Sequence, residues 1–268
     1  MTRRPSRHPA PLGYAAVVLH GHLPFVRHPE NDRFLEEDWF NEALFETYLP
    51  LLEMLERLEA EGIPTPLTLS LSPPVLSMMQ DPLLARRALS YGERLLSLVA
   101  QELFGLFKDR HRTDLVPAIR GLMERGRVEV ITTAATHGYL PIMDLVRPAV
   151  RAQVFTAMEY FKSVFGKAPS GFWLPECGYQ PGQDVFLKEA GIRYFFVDTH
   201  ALLHATPEPK FGTFAPVRCP SGLLAFGRDL ESSKQVWSAT EGYPGDYDYR
   251  EFYRDVGYDL GEEELRPH

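Results

Sequence analysis

Short apolar or β-branched runs alternate along this chain with longer segments whose apolar residues recur three or four apart. Tyr14-Ala-Ala-Val-Val-Leu-His20 is one such run and reads as a buried strand that ends in polar residues. From Asn41 to Glu61, Leu44, Tyr48, Leu51, Leu55 and Leu58 fall on one helical face, and Gly62 and Pro64 stop it. Leu67-Thr-Leu-Ser-Leu71 predicts a second strand, closed by Pro73-Pro74. Residues 83–124 are helical in pattern, with a charged turn near Lys108 to Thr113, and read as a helical pair with no strand inside it. Gly126 to Thr132 returns to strand, Leu145 to Phe165 to helix, Gly171 to Leu174 to strand, Asp184 to Ala190 to helix and Tyr194 to Val197 to strand. Beyond Thr199 the chain is rich in Pro, Gly and aromatics and reads as loop-dominated. Strands alternating with helices predict an α/β fold with a parallel sheet or barrel. Residues 1–12 are expected to form a loose tail, residues 13–268 the domain, and the helical pair an insertion on its sheet.

Composition narrows the classes of function. The 268 residues are 44% hydrophobic with three Trp, 12 Tyr and 17 Phe, enough for a sizeable core. The net charge of −8, with no basic block, argues against binding nucleic acid or an anionic membrane surface. Cys177 and Cys219 are too few for a disulfide framework or a four-thiolate zinc site. No apolar run approaches the roughly 18 residues of a membrane span, and the apolar stretch after the basic N-terminus is too short for a signal peptide. The expectation is a cytoplasmic protein that acts on a small molecule or a neutral polymer.

Candidate chemistry gathers at strand ends. His20 and His22 follow the first strand, His137 the third and Glu176 the fourth, and in a parallel sheet these ends share one edge. The two histidines of His20-Gly21-His22, with His137, could be metal ligands, neutral donors to sugar hydroxyls, or structural residues. Glu176, set among Trp173, Leu174 and Tyr179, reads as a partly desolvated carboxylate suited to nucleophile or acid. Trp237 and the Tyr-rich stretch beyond it, including Tyr243 between Gly242 and Gly245, suggest a lid, a carbohydrate surface or a docking loop.

At these residues the sequence resembles glycoside hydrolase family 57, in its 1,4-α-glucan branching branch. The resemblance rests on His20-Gly-His-Leu-Pro24, on Glu129-Val-Ile-Thr-Thr-Ala-Ala-Thr-His-Gly-Tyr-Leu-Pro141 and on Gly171-Phe-Trp-Leu-Pro-Glu-Cys-Gly-Tyr179. Val236-Trp-Ser-Ala, Gly242-Tyr-Pro-Gly245 and Tyr249-Arg-Glu-Phe-Tyr253 extend it. It implies an incomplete seven-stranded (β/α) barrel and retaining double displacement, with Glu176 as nucleophile. The acceptor in branching is the carbon-6 hydroxyl of another α-1,4-glucan, such as amylose or glycogen. His20, His22 and His137 would line the glucose subsite without metal or other cofactor, Trp173 and Tyr179 would shape it, Trp237 would bind substrate, and Tyr243 would favour transfer.

Two departures accompany the match. The family's acid/base Asp lies in a downstream region that is expected to be missing here, as is a C-terminal helical domain. Asp198, Asp229 and Asp246 do not match that acid/base position. Other readings are an α-amylase or 4-α-glucanotransferase of the same family, a chain that binds glucan without turnover, and a metal-dependent deacetylase on a related barrel.

Overall fold

The computed structural model describes residues 13–32, 34–96, 101–246 and Glu263. The expected tail at 1–12 and the Tyr249–Tyr253 motif lie outside the described residues. Seven strands make one sheet: β1 Val17–Gly21, β2 Leu67–Leu71, β3 Val128–Thr133, β4 Gly171–Trp173, β5 Tyr194–Val197, β6 Val217–Arg218 and β7 Leu224–Gly227. Their order is β1-β2-β3-β4-β5-β7-β6, parallel throughout except for the β6–β7 pair. The first five strands are laid down in chain order without reversal, as in barrel winding, and the sheet remains open between β1 and β6. This is the incomplete barrel that the family resemblance implies.

Two corrections to the sequence reading concern proline and glycine. Pro73-Pro74 opens a helix, Pro73–Met79, besides ending β2: Ser72 is its N-cap, accepting from the Val75 N–H, and proline suits the first turn because its missing N–H has no helical partner there. The region after Thr199 is not all loop. Leu224-Ala-Phe-Gly pairs in parallel with β5, and Leu223 and Ala225 are buried; four residues are too few to show an alternation. Element edges also move. The first strand starts at Val17, and the first helix starts at Glu36 and runs to Ala60 through a π-helical turn at Leu44–Tyr48.

The interval between β2 and β3 is filled by Pro73–Met79, Pro82–Tyr91, 101–110 and Val116–Glu124, with no strand among the described residues. These helices and Glu36–Ala60 bury Phe45, Leu49, Leu76, Leu84, Phe107 and Leu122 against β2 and β3. A second core surrounds Phe172, Leu187, Phe195 and Val197 of the later half. The helix Arg147–Phe165 joins the two, giving Phe161, Val164 and Phe165 to the first core and Val150, Val154 and Met158 to the second. Gly166, at φ 74°, ends it in the left-handed conformation that favours glycine.

Phe172 is fully buried, at 0% exposure, whereas Phe214 is 90% exposed. Chemical denaturation is expected to show Phe172→Ala losing about 3–5 kcal/mol and Phe214→Ala changing by no more than about 0.5 kcal/mol.

Candidate active site

The sheet's C-terminal edge carries a stack of rings from strands that are not neighbours. His20 lies on Trp173, centroids 4.7 Å apart and planes 8° from parallel. His20 is 5.0 Å from His137, and His137 lies 3.7 Å from His22 at 10°. β1 and β4 are separated by two strands, and three inter-strand steps on a flat sheet span about 14 Å. Rings from these strands meet at contact distance only because the sheet curls inward at this end, as a barrel wall does.

Each ring is aimed by its surroundings. His20 pairs in register with Ser70 across β1 and β2, and its Nδ1 is 2.9 Å from the Ser70 hydroxyl. His22 Nδ1 is 3.0 Å from the Ser72 hydroxyl. His20 Nε2 and His137 Nε2 are 2.9 Å apart, so one donates to the other. His137 sits in a tight turn at φ 56°, where its N–H donates to the Ala134 carbonyl. Gln153 clasps that turn from the long helix: its Oε1 accepts from the Thr136 N–H, and its Nε2 donates to the Thr136 hydroxyl. Ser70, Ser72 and Gln153 escaped the sequence reading. The serines at alternate positions of Leu67-Thr-Leu-Ser-Leu-Ser72 were the available signal, two polar residues on one face of an otherwise apolar strand end.

Glu176 follows β4 in a strained turn. Glu176 and Cys177 both lie at positive φ, 52° and 54°, held by Cys177 N–H to the Leu174 carbonyl and Gly178 N–H to the Pro175 carbonyl. Non-glycine residues adopt this conformation at a cost, and two in succession are characteristic of functional turns. A Cβ on Gly178 would run into the Tyr139 ring, so the glycine lets that ring lie close against the turn. The turn throws Glu176 outward. It is exposed, contrary to the partly desolvated carboxylate expected from its apolar sequence neighbours, because Leu174 and Cys177 take the buried positions.

Burial, and then the nearby His137 and His22, lower the His20 pKa to about 3. Burial, with His137 adding to it, brings His22 down to about 4, while Glu176 pulls the other way. Burial alone lowers His137 to about 4. The three rings are therefore neutral at pH 7, and the Glu176 carboxylate lies near enough to His22 to be felt there. Among the described residues no group of three or more His, Cys, Asp or Glu side chains is arranged to hold a metal ion.

The remaining candidates stand apart from the stack or are engaged elsewhere. Tyr179 donates its hydroxyl to Asp184 Oδ1 at 3.0 Å and stacks on Phe195, so it braces the wall behind Glu176. Trp237, 85% exposed, lines a cavity of about 170 Å³ with Asp198, Thr199, Arg228 and Lys234, beside the ends of β5 and β7. Tyr243 is half exposed in the turn Tyr243–Gly245 that follows. Asp198 is paired with Arg228 at 3.7 Å and His200 at 3.2 Å, and Asp229 caps the helix Leu230–Trp237.

An open parallel sheet with aromatic, imidazole and carboxylate side chains on its C-terminal edge defines an α/β protein of the enzyme-barrel class. Within that class the chain belongs to glycosyl hydrolase family 57, whose sequence profile matches residues 16–255. The 1,4-alpha-glucan branching enzyme TK1436 of Thermococcus kodakarensis is 33% identical over 90% of this chain and 42% of its own length. The structure of the alpha-amylase AmyC of Thermotoga maritima superimposes with a TM-score of 0.85 at 37% identity, over 95% of this chain and 53% of that one. The branching enzyme of Pyrococcus horikoshii gives a TM-score of 0.81 at 33% identity, over 91% and 52%. The chain thus spans about half the length of the relatives it matches.

The lowered histidine pKa values fix the sign of a pH effect. An unfolded histidine takes up its proton near pH 6.5, whereas these take theirs near 3 to 4. No penalty is present above pH 6.5, and stability falls as pH drops below it, because the unfolded chain binds protons first. Melting temperature is expected to fall between pH 7 and 5, before most carboxylates titrate, and to fall less steeply in His137→Gln.

Proposed function

We propose that this chain carries the nucleophile side of a retaining α-glucan-active site, of the 1,4-α-glucan branching type, acting on amylose- or glycogen-like polymers. The observation that carries this reading is Glu176, exposed at the apex of a strained turn beside a platform of neutral rings. Flat neutral rings suit an uncharged sugar, whose ring faces stack on aromatics and whose hydroxyls take up imidazole hydrogen bonds. The Glu176 carboxylate would attack the anomeric carbon as the glycosidic C–O bond breaks, giving a glycosyl ester. The carbon-6 hydroxyl of a second glucan would then displace Glu176, with net retention.

The leaving oxygen must gain a proton and the acceptor hydroxyl must lose one, and a second carboxyl group about 5–5.5 Å from the first usually does both. We assign that group to no residue of this chain. Asp198 and Asp229 are engaged in ion pairing and helix capping. Trp237 and Tyr243, on the exposed side of the same edge, would receive the more distant sugars. A second reading, hydrolysis in place of transfer, is favoured by the 37% identity to a protein named as an alpha-amylase. No helix among the described residues is long and apolar enough to cross a membrane.

The test is incubation with amylose, counting α-1,6 branch points through the chains that a debranching enzyme releases. New branches are expected at a rate about 10²–10⁴-fold below that of an enzyme with its acid/base in place. Glu176→Gln should remove the remainder while leaving glucan binding intact. Equal activity in Glu176→Gln would overturn the nucleophile assignment, and new reducing ends without branches would favour hydrolysis.

A further inference from the structure

We propose that Ser70 and Ser72 are positioning residues that fix which ring nitrogens of His20, His22 and His137 carry a proton, and so set the donor pattern that the ring stack offers a ligand. The ligand is that of the α-glucan reading above.

Ser70 and Ser72 stand two apart at the end of β2, His20 and His22 two apart at the end of β1, and His20 and Ser70 are register partners. Each hydroxyl meets the Nδ1 of one histidine, at 2.9 and 3.0 Å. Both serines are fully buried, at 0% exposure. A buried hydroxyl proton needs an acceptor, and the ring nitrogen in front of each serine is placed to be it. At Ser72 the oxygen already accepts from the Val75 N–H at 3.3 Å, and the described acceptor for its proton is His22 Nδ1. At Ser70 the Nδ1 of His20 is the described partner.

If both hydroxyls donate, Nδ1 is the acceptor in His20 and His22, and each neutral ring holds its proton on Nε2. The His20 Nε2–H then points at His137 Nε2, 2.9 Å away, which must accept. His137 is thereby left with its proton on Nδ1. One relay runs Ser70 to His20 to His137, and a separate link runs Ser72 to His22. The stack ends in two defined donors, His22 Nε2–H and His137 Nδ1–H, which the α-glucan reading assigns to sugar oxygens, and chained bonds of this kind reinforce one another. A serine that served only to cap a helix or fill a strand would impose no such pattern.

The experiment is nitrogen-15 NMR of histidine-labelled protein, which reads the protonated nitrogen of each ring directly, followed by titration with maltoheptaose. In the unaltered chain His20 and His22 are expected as Nε2–H and His137 as Nδ1–H. Ser70→Ala should release the His137 preference without touching His22, Ser72→Ala should do the reverse, and Ser70→Thr should restore the pattern. Each alanine variant should weaken maltoheptaose binding roughly tenfold. A His137 proton found on Nε2 in the unaltered protein, or a pattern unchanged in Ser70→Ala, would overturn the proposal. The first of these readouts needs no variant to fold. Failure of the unaltered chain to bind maltoheptaose would count against the glucan reading, while the ring protons would still decide the serines' role.

Discussion

The contact between His20 and Trp173 governs the geometry of the whole edge. It joins the first strand to the fourth at 4.7 Å, a distance that a flat sheet of the same order would treble. The curl that allows it is held by the packing beneath. The Arg147–Phe165 helix contributes to both cores and so ties β2 and β3 to the later strands. The same helix supplies Gln153, which secures the turn carrying His137. Fold and site therefore share one brace.

Burial gives the stack its chemistry. Imidazoles pressed together and shielded from water stay neutral, so the platform offers hydrogen bonds without net charge. Glu176 stands at the rim of that neutral surface as an exposed anion, delivered there by two left-handed residues and a glycine that leaves room for Tyr139. A neutral floor and an anionic rim suit a ligand that is itself uncharged until positive character develops at one carbon.

Much of this was legible in the sequence for identifiable reasons. β2 and β5 appear where their apolar runs stand, and the strand-end positions of His20, His22, His137 and Glu176 followed from parallel winding. The helix after Ser72 and strand β7 were not legible, because Pro73-Pro74 reads equally as a stop or a start, and a strand of four residues that ends in a glycine carries no periodicity. The exposure of Glu176 was hidden as well. Its neighbours in sequence are apolar, yet backbone dihedrals, which composition does not report, turn it away from them. Ser70 and Ser72 left only their alternation as a trace, and what they and Gln153 touch depends on register and across-chain contact, which local pattern does not carry. Tyr179 illustrates the converse: its place in the motif suggested a ligand contact, and its hydroxyl is committed to Asp184.

The account turns on Glu176 forming a bond to the anomeric carbon, and one measurement addresses that step apart from any acid/base. 5-Fluoro-α-glucosyl fluoride carries a leaving group that departs without protonation, and its ring fluorine slows breakdown of the ester. Mass spectrometry of the protease-released peptide spanning residues 171–179 should then show one fluorohexosyl group, with fragmentation assigning it to Glu176. An adduct on any other carboxylate, or none after prolonged incubation with protein shown to be folded, would contradict the account.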